Sequence, residues 1–401
     1  MPEILSSTPY SLSWLLCASA FACALLTILW FMRPMIKVGS FKTRDVSPAT
    51  ADAPKVSVIV CTENREEELL AYLDSLVCQG YPDYEIIVVS ESTSESTEIL
   101  SECCSRRYSN VYVTFVPPES HSLSRRKLAL TLGMKAAKGE IVVTTVSNAE
   151  IPSPSWLSEL TAVFRMEGSA EVSLGYSHLD FSKMKGAGRW YKEFDSVMTD
   201  ARWLGFALLN KPYRGDGFNL AMRRDLFFRH KGYSRSLALL NGDDDVFINE
   251  VSDGDNTQPT LNPESILSID WGESSSRIWS MRKEQYDYTS HWLPRAPFVN
   301  AGIFSAMQWI IPLLCAGAIL APLMKLIKTL TFDVMTLCAV IAPVLIWELF
   351  LLCEILIYRR AASRMQSTRL WWALPWFMLA RPIVNFLFRL NHRGSNNTTF
   401  I

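Results

Sequence analysis

Apolar strand patterns and helical stripes alternate along the first part of the chain. Residues 56–61 form a short β-branched apolar run, which is typical of a strand buried on both faces. Residues 69–77 carry leucines at helical spacing, and residues 85–89 repeat the buried strand pattern. The crossover between the two strands is too long for a hairpin and fits a right-handed βαβ unit. The pattern predicts that the strand ends, near residues 61–65 and 90–97, form a ligand-binding edge.

This alternation continues through the middle of the chain and then loosens. It predicts a doubly wound, Rossmann-like mixed α/β sheet. The predicted strands cover residues 111–116, 140–146 and 171–176, and the predicted helices cover 95–107, 124–137, 155–166, 184–206 and 277–292, with one more opening at 241–247. The aromatic residues of the 184–206 segment favour a packed amphipathic helix over a sugar-stacking platform.

Longer apolar runs near both ends of the chain predict membrane helices. Residues 10–32 are uncharged and long enough to cross a bilayer, and 298–324 and 330–358 qualify as further spans. A fourth run, 370–388, is interrupted by proline and arginine, so re-entrant and interfacial arrangements both stay open. The expected segments are an anchor at 1–36, a linker at 37–54, an α/β domain at 55–295, transmembrane or interfacial helices at 296–390 and a tail at 391–401.

Composition agrees with this division and disfavours one class of partner. Of the 401 residues 49% are hydrophobic, and the formal net charge of −1 argues against nucleic-acid binding. Basic residues follow the first and third apolar runs, notably Arg33, Lys37, Arg359 and Arg360. By the positive-inside rule these flanks and the α/β domain face the cytoplasm, although lysines between the second and third runs count weakly against this. We therefore expect a multi-pass protein of the inner (plasma) membrane.

Polar residues follow both predicted strand ends of the βαβ unit. CTENREEEL occupies residues 61–69, and SESTSEST occupies residues 90–97. A carboxylate at such a position can accept hydrogen bonds from N–H groups or hydroxyls of a ligand. Acidic and serine residues are also common in solvated loops, so either segment alone is a weak indication.

Three later segments add charge or flexibility that a reaction could use. The helix that starts with SRRK at 124–127 carries cations near its N-terminus, where a bound anion would stabilise them. The GDGFN segment at 215–219 offers glycines that permit close approach to the backbone. The GDDD segment at 242–245 holds three adjacent carboxylates, which raise one another's pKa as suits a general base. The alternative is an acidic helix N-terminus.

Together these segments resemble a membrane-bound, bacterial-type family 2 glycosyltransferase with a GT-A fold. The resemblance covers about residues 55–288. It implies nucleotide contacts from seven residues: Thr62, Glu63, Asn64, Glu66, Glu91, Lys127 and Asn148. It implies Asp244 as the general base, with Asp243 beside it. It also implies contacts to the acceptor or the donor sugar from five residues: Gly217, Asn219, Asp245, Arg282 and Gln285.

The chain departs from this family at the metal site. In place of Asp-x-Asp, residues 146–149 read Val-Ser-Asn-Ala, and Glu150 is the single anionic candidate ligand. Because hard cations prefer anionic oxygens, the resemblance implies a Mg²⁺ or Mn²⁺ site that is weakened here. The Gln-x-x-Arg-Trp segment of processive members is not matched by residues 277–292, which argues against a long-chain synthase. The aromatic residues of that segment fit a membrane-interface belt.

The resemblance predicts an inverting glycosyltransferase, of hexosyltransferase type, at the cytoplasmic membrane face. Its donor would be a UDP- or GDP-linked sugar, and its acceptor a lipid-linked or cell-envelope glycan. The weakened metal site keeps a second interpretation open, a catalytically silent glycosyltransferase-like membrane subunit that binds a sugar nucleotide or a partner protein. A sugar nucleotidyltransferase is disfavoured, because no glycine-rich signature follows the first strand.

Overall fold

The computed structural model describes residues 3–62, 66–90, 99, 102, 104, 106–117, 124–166, 170–270, 272–329, 333–368 and 370–392. The strands are β1 Val56–Cys61, β2 Tyr84–Ser90, β3 Val111–Phe115, β4 Ile141–Val146, β5 Ala149–Glu150, β6 Val172–Leu174, β7 Ser177–Asp180, β8 Leu220–Arg223, β9 Thr257–Pro259 and β10 Leu267–Asp270. The helices are α1 Glu3–Leu26, α2 Arg33–Gly39, α3 Glu66–Val77, α4 Arg125–Ala136, α5 Trp156–Leu160, α6 Gly188–Ala207, α7 Arg224–Arg229, α8 Val246–Val251, α9 Ser275–Thr289, α10 Arg295–Thr329, α11 Val334–Arg364 and α12 Leu374–His392.

The main sheet has seven strands in the order β3-β2-β1-β4-β8-β6-β9. The first four are parallel, and β1 lies between β2 and β4, with Ile59 opposite Ile87 and Thr144. Strand β8 runs antiparallel to both β4 and β6, so the sheet is mixed. The predicted mixed α/β sheet is therefore confirmed, and its parallel strands end at one edge.

Alternate residues of β1 pack on opposite faces of this sheet. Ile59 lies in one apolar cluster with Leu130 of α4, whereas Val58 lies in another with Leu69 of α3. This division follows from the two-residue period of a strand, and it explains why the whole of β1 is apolar. The two helices that cover the sheet thus come from the two crossovers that the sequence predicts.

Some predicted elements are shorter in the structure. The helix expected over 155–166 ends at Leu160 and continues as the 3₁₀ turn Ala162–Phe164. The strand expected over 171–176 is only Val172–Leu174. The helix expected over 95–107 lies largely outside the described residues. A second, three-stranded sheet, β5-β10-β7, places Glu150 opposite Ser268.

Three helices of the described residues are long and apolar enough to cross a membrane: Ser11–Phe31, Arg295–Lys328 and Val334–Arg364. They coincide with the three predicted spans. The fourth apolar run forms α12, which is amphipathic: Arg381 on one side bonds Asp195 Oδ1 at 2.7 Å, while Trp376 and Ile383 are exposed.

Helix α6 joins the α/β region to these helices. The ring of Phe194 packs 5.7 Å from that of Tyr358 on α11 and 5.5 Å from that of Phe377 on α12. Trp203 is buried as well. The aromatic residues of α6 therefore form packing contacts, as the amphipathic interpretation predicts.

Candidate functional site

The carboxyl edge of the parallel strands holds part of the predicted nucleotide set. Thr62 follows β1 and is fully buried, and its carbonyl accepts a hydrogen bond from Ser147 Oγ at 3.1 Å. Asn148 lies in the turn that follows β4 and is also buried. Three predicted contacts, Glu63, Asn64 and Glu91, and the side chain of Glu66 lie outside the described residues. The structure brings Thr62 and Asn148 to one edge, where their nucleotide contacts stay a prediction.

Lys127 has a structural role in place of the predicted nucleotide contact. Its side chain is 2% exposed, and its Nζ group donates hydrogen bonds to the backbone carbonyls of Ser236, Leu239 and Asn241. Burial lowers the pKa of Lys127 to about 8, although the nearby aspartates oppose this shift. All three ammonium N–H groups are used in this way, so Lys127 secures the loop that leads into GDDD.

Arg126, the residue before Lys127, lines a cavity of about 130 Å³. Its Nε group donates to Asp243 Oδ2 at 2.7 Å, and its guanidinium lies 5.0 Å from the ring centroid of Phe218. Asp243, predicted to act beside the base, is thus engaged in a largely buried ion pair. The charge of its carboxylate raises the pKa of the neighbouring Asp244. Sequence reasoning noted the basic segment but did not select Arg126.

Asp244 lies at a cavity of about 130 Å³ beside the GDGFN segment and α9. Its Oδ2 accepts from the Gly217 amide at 3.4 Å, and its Oδ1 accepts from Gln285 Nε2 at 3.5 Å. Burial, and next the carboxylates of Asp243 and Asp245, raise the pKa of Asp244 well above its ordinary value. The cavity is lined by Arg126, Asp216, Phe218, Asn241, Asp244, Ile278, Met281, Arg282 and Gln285. A loosely held carboxylate with a raised pKa is suited to accept a proton near neutral pH.

Gly217 leaves room for this carboxylate. A Cβ atom at Gly217 would lie 2.9 Å from Asp244 Cβ and 3.3 Å from Arg126 Nη2. The sequence led us to expect close approach of a sugar to this backbone, whereas the close approach in the structure is that of Asp244. Gly242, with φ of +104°, supplies the left-handed turn from which the three aspartates follow.

Asn219 is a buried support and does not face the cavity as predicted. Its Nδ2 group donates to the carbonyls of Tyr176 and Ser265 at 2.8 Å each, and its Oδ1 accepts from Trp156 Nε1 at 3.2 Å. With these three hydrogen bonds the side chain is committed to protein groups. It joins β8 to α5 and to the segment before β10.

Asp245 is likewise structural, which corrects its predicted contact with acceptor or donor. Its carboxylate accepts from the Val246 amide at 2.7 Å, and so caps α8. It also accepts from the Thr289 hydroxyl and lies 3.4 Å from Arg214 Nη2. The three adjacent aspartates therefore have different surroundings. Asp243 pairs with Arg126, Asp244 lines the cavity and Asp245 caps α8.

Helix α9 presents two faces to two cavities. Ile278, Met281, Arg282 and Gln285, at helical spacings of three and four, line the Asp244 cavity. The opposite face lines a larger cavity of about 330 Å³, bounded also by α6, α10 and α12, with Trp279, Lys283, Tyr286, Asp287 and Ser290. Arg282 lines both, and it donates to the Tyr286 hydroxyl at 2.9 Å. The structure thus brings the predicted Arg282 and Gln285 to the Asp244 site.

The aromatic belt predicted for this segment is mostly wrong. Trp279 and Tyr286 line the larger cavity, and Tyr288 is buried, with its ring 5.0 Å from that of Trp292. Among these four side chains only Trp292 is exposed. The segment's aromatic composition reflects packing between the α/β region and the helices that follow it.

The residues at the expected metal position do not by themselves fit a divalent cation. The Ser147 hydroxyl is bonded to the Thr62 carbonyl, and the Ala149 side chain is packed in the core. Glu150 is exposed on β5 and is the one carboxylate of this turn. In the described residues no three His, Cys, Asp or Glu side chains converge as metal ligands would. A cation held here would need most of its oxygen ligands from elsewhere.

Part of the chain matches a known protein family. Residues 53–238 match the family described as Glycosyltransferase like family 2. The match contains β1 to β8 and Gly217, and it ends before the three aspartates. The match spans 186 of the 401 residues, so this part of the chain is similar to glycosyltransferase family 2, in agreement with the predicted resemblance.

Known proteins add two further similarities. Over 112 residues the chain is 31% identical to the O-antigen biosynthesis protein RfbC of Myxococcus xanthus, a stretch that is 27% of this chain and 8% of that protein. The chain thus spans under a tenth of the curated relative's length. The mannosyltransferase PcManGT from Pyrobaculum calidifontis, solved with GDP-Man and Mn²⁺, covers 89% of this chain and 99% of its own, with a TM-score of 0.50 and 18% identity. This confirms the predicted GT-A fold class.

Proposed function

With a glycosyltransferase family 2-like domain over residues 53–238 as the premise, we propose that this chain is an inverting glycosyltransferase whose general base is Asp244. The observation that carries the proposal is the Asp244 cavity. A carboxylate with a raised pKa opens into a small cavity and, among the described residues, is held by two long hydrogen bonds. Such a group can take a proton without first breaking a strong ion pair.

In the proposed reaction the acceptor hydroxyl gives its proton to Asp244. The hydroxyl oxygen bonds to the anomeric carbon on the face opposite the nucleotide. The bond from that carbon to the diphosphate breaks, and the nucleoside diphosphate leaves with the electron pair. Gln285 and the Gly217 amide orient the carboxylate, and Arg126 and Arg282 supply positive charge at the same cavity.

The donor in this proposal is a UDP- or GDP-linked sugar at the carboxyl edge of β1, β2 and β4. Thr62 and Asn148 are the described residues at that edge that support it. A divalent cation would arrive largely with the donor diphosphate, because Glu150 is the one carboxylate near the turn after β4. Bound there, it would neutralise negative charge on the diphosphate. The proton transfer described above uses only Asp244 and its neighbours.

The proposed location is the cytoplasmic face of the inner membrane, with a lipid-linked or cell-envelope glycan as acceptor. Arg33, Lys37, Arg359 and Arg360, which flank two of the candidate spans, support this orientation. A test uses Asp255→Cys, since Asp255 is exposed on the α/β region. A membrane-impermeant maleimide should label the variant no more than the parent chain in intact cells, and more than the parent after permeabilisation. Strong labelling in intact cells would reverse the orientation.

The decisive experiment for the activity is a donor panel. Purified full-length protein is incubated with UDP- and GDP-linked sugars and a membrane lipid extract, and release of nucleoside diphosphate is measured. Asp244→Asn is the matched control, because it keeps the shape of the side chain but cannot accept the proton. We expect release from at least one donor by the parent chain and a strongly reduced rate from the variant.

The silent-subunit interpretation predicts a different result. A nucleotide would bind, with the same affinity in parent and variant, and no donor in the panel would be consumed. The degenerate metal turn favours this alternative, whereas the geometry around Asp244 favours catalysis. Binding without release across the whole panel would therefore replace the proposed activity with a binding function.

A further inference from the structure

The larger cavity, which we name the membrane-side cavity, differs in charge from the Asp244 cavity. It is lined by residues of α6 and α9 in the α/β region, and by residues of α10 and α12. Helix α10 contains one of the candidate spans. Its lining carries six cationic side chains, Arg202, Arg214, Arg282, Lys283, Arg381 and Arg389, and three acidic ones, Asp195, Asp200 and Asp287. The cavity therefore has an excess of positive charge.

The acidic residues do not neutralise all of these cations. Asp195 binds both Lys283 and Arg381 at 2.7 Å, and Asp287 binds Arg389 at 2.8 Å. Burial raises the pKa of Asp200 to about 6. Arg214 lies 3.4 Å from Asp245 and Arg282 lies 3.8 Å from Asp216, whereas Arg202 forms no ion pair with the described residues.

These three guanidinium groups have unused hydrogen-bond donors. Nε of Arg214 and Nη1 of Arg282 are buried and have no hydrogen-bond partner among the described residues. Arg202 forms no hydrogen bond or ion pair with the part of the chain that the structure describes. Buried donors without partners destabilise a protein, and cavities that contain them commonly bind a ligand with acceptor oxygens. Phosphate oxygens match guanidinium groups in both charge and geometry.

The cavity lining also contains aromatic side chains. Phe298 lies near the start of α10, which continues into a candidate span, and Phe386 and Phe388 lie on α12. The ring of Trp279 packs 6.0 Å from that of Phe388. The cavity thus combines cationic side chains with aromatic rings, some of them on the same helix, α12. A ligand that fits such a lining has an anionic head and an apolar chain.

Arg282 connects this cavity to the base. It lines both cavities, and its neighbour along α9, Gln285, donates to Asp244. A head group held by Arg282 therefore lies next to the proton acceptor.

We infer that the membrane-side cavity binds the phosphate-bearing head group of a lipid acceptor, with the lipid chain leaving along α10 and α12. This rests on the proposed function and names the acceptor class: a lipid phosphate whose head group also carries the accepting hydroxyl. Arg202, Arg214 and Arg282 hold the phosphate oxygens. Phe298, Phe386 and Phe388 contact the first part of the chain.

The experiment measures binding to the full-length protein in detergent micelles, without any nucleotide sugar. The three probes are farnesyl phosphate, farnesol and inorganic phosphate, so that head and chain are tested separately. Farnesyl phosphate should bind at least about tenfold more tightly than either of the others, since it alone carries both a phosphate and an apolar chain. Equal binding of inorganic phosphate would overturn the lipid assignment, and equal binding of farnesol would overturn the role of the arginines.

Variants identify the cavity as the binding site. Arg202→Gln should weaken farnesyl phosphate binding about tenfold, and Arg202→Lys should recover part of it, because the charge returns without the planar fork. Lys211→Gln is the matched control, because Lys211 is an exposed cation that does not line the cavity. An equal effect of Lys211→Gln and Arg202→Gln would show a general charge effect and overturn the site.

A second variant guards against misfolding of Arg202→Gln. Gly302 lines the cavity, and a Cβ atom there meets nothing within 4 Å, so Gly302→Leu adds apolar bulk at the cavity without a clash at its Cβ. It should also block farnesyl phosphate, and unchanged binding would overturn the proposal. Nucleotide binding and donor turnover are measured on the same preparations. Donor turnover without lipid-phosphate binding removes this inference alone, whereas lipid-phosphate binding without turnover of any donor removes the proposed activity.

Discussion

The two cavities on either side of α9 share Arg282 but have different linings. The Asp244 cavity is small, and its lining combines polar groups such as Asp244 and Gln285 with apolar side chains such as Phe218 and Met281. The membrane-side cavity is more than twice as large, at about 330 Å³ against about 130 Å³, and combines arginines with aromatic rings. One helix forms part of both walls because residues three and four positions apart face one way, and the residues between them face the other.

The different linings suit different roles: proton transfer at the Asp244 cavity and lipid binding at the membrane-side cavity. A general base needs a raised pKa and freedom from strong ion pairs, and Asp244 has both. A lipid head group needs several fixed donors and an apolar exit, which the other cavity supplies. Changes in one cavity should therefore alter the rate of transfer, and changes in the other should alter lipid binding.

The largest expected effect comes from Asp244→Asn. Loss of a general base typically lowers kcat by about 10²- to 10⁴-fold. Binding of nucleotide and of farnesyl phosphate should stay within about twofold of the parent, because neither contact uses the carboxylate. Asp255→Asn, in an exposed loop, is the control for charge alone. Near-normal turnover of Asp244→Asn would show that Asp244 is not the general base.

A smaller loss is expected from Gly217→Ala, which tests position and leaves the carboxylate in place. The new Cβ would lie 2.9 Å from Asp244 Cβ, so Asp244 must shift. Misplacing a reacting group by about 1 Å can cost about 10²-fold in rate, so we expect a decrease of roughly ten- to a hundredfold in kcat. Gly188→Ala is the control, since its Cβ would meet only Met184 Cε at 3.8 Å. Equal rates for the two variants would contradict the geometry described here.

The pH dependence of kcat sharpens the electrostatic account. Transfer requires unprotonated Asp244, so the rate falls as pH drops through its raised pKa. Arg126 lowers this pKa and Asp243 raises it. Arg126→Gln should therefore move the acidic limb of the kcat profile to higher pH, and Asp243→Asn should move it to lower pH. Shifts in the same direction for both variants would show that the charges beside Asp244 do not determine the position of the acidic limb.

The smallest expected effect concerns the metal. Calorimetry should detect Mn²⁺ or Mg²⁺ binding only in the presence of nucleotide, because the turn after β4 offers one exposed carboxylate, Glu150. Glu150→Gln should weaken that binding by only about two- to threefold, since the diphosphate supplies most ligands. Ala149 is unsuitable for an added aspartate, because its side chain is packed in the core. Tight metal binding without nucleotide would show a protein site that the described residues do not form.

Much of the fold follows from local pattern. The boundaries of β1 agree with the predicted run, because a strand buried on both faces is an uninterrupted apolar sequence. The three candidate spans are just as predictable from the sequence, because a helix that crosses a bilayer must be long and carry little charge. The α5 segment was predicted too long, because its apolar spacing continues through a 3₁₀ turn that the pattern does not distinguish from a helix.

The site was less predictable than the fold, as the basic segment at 125–127 shows. Adjacent residues of a helix point about 100° apart, so the rotation of α4 against the sheet decides which cation enters the cavity. That rotation is set by the packing of Ala129, Leu130 and Met134. It turns Lys127 to the loop carbonyls and Arg126 to Asp243.

The sequence by itself determined the parallel strands, the helices that are long and apolar enough to cross a membrane, and the presence of three aspartates after Gly242. The tertiary structure alone decided that Asp243 binds an arginine, Asp244 faces a cavity and Asp245 caps a helix. It also decided that α9 separates two cavities. The reason is physical: apolar periodicity is a local property of the chain, whereas the partner of a polar side chain depends on distant segments. Asp244 meets residues about thirty and forty positions away in the chain, Gly217 and Gln285.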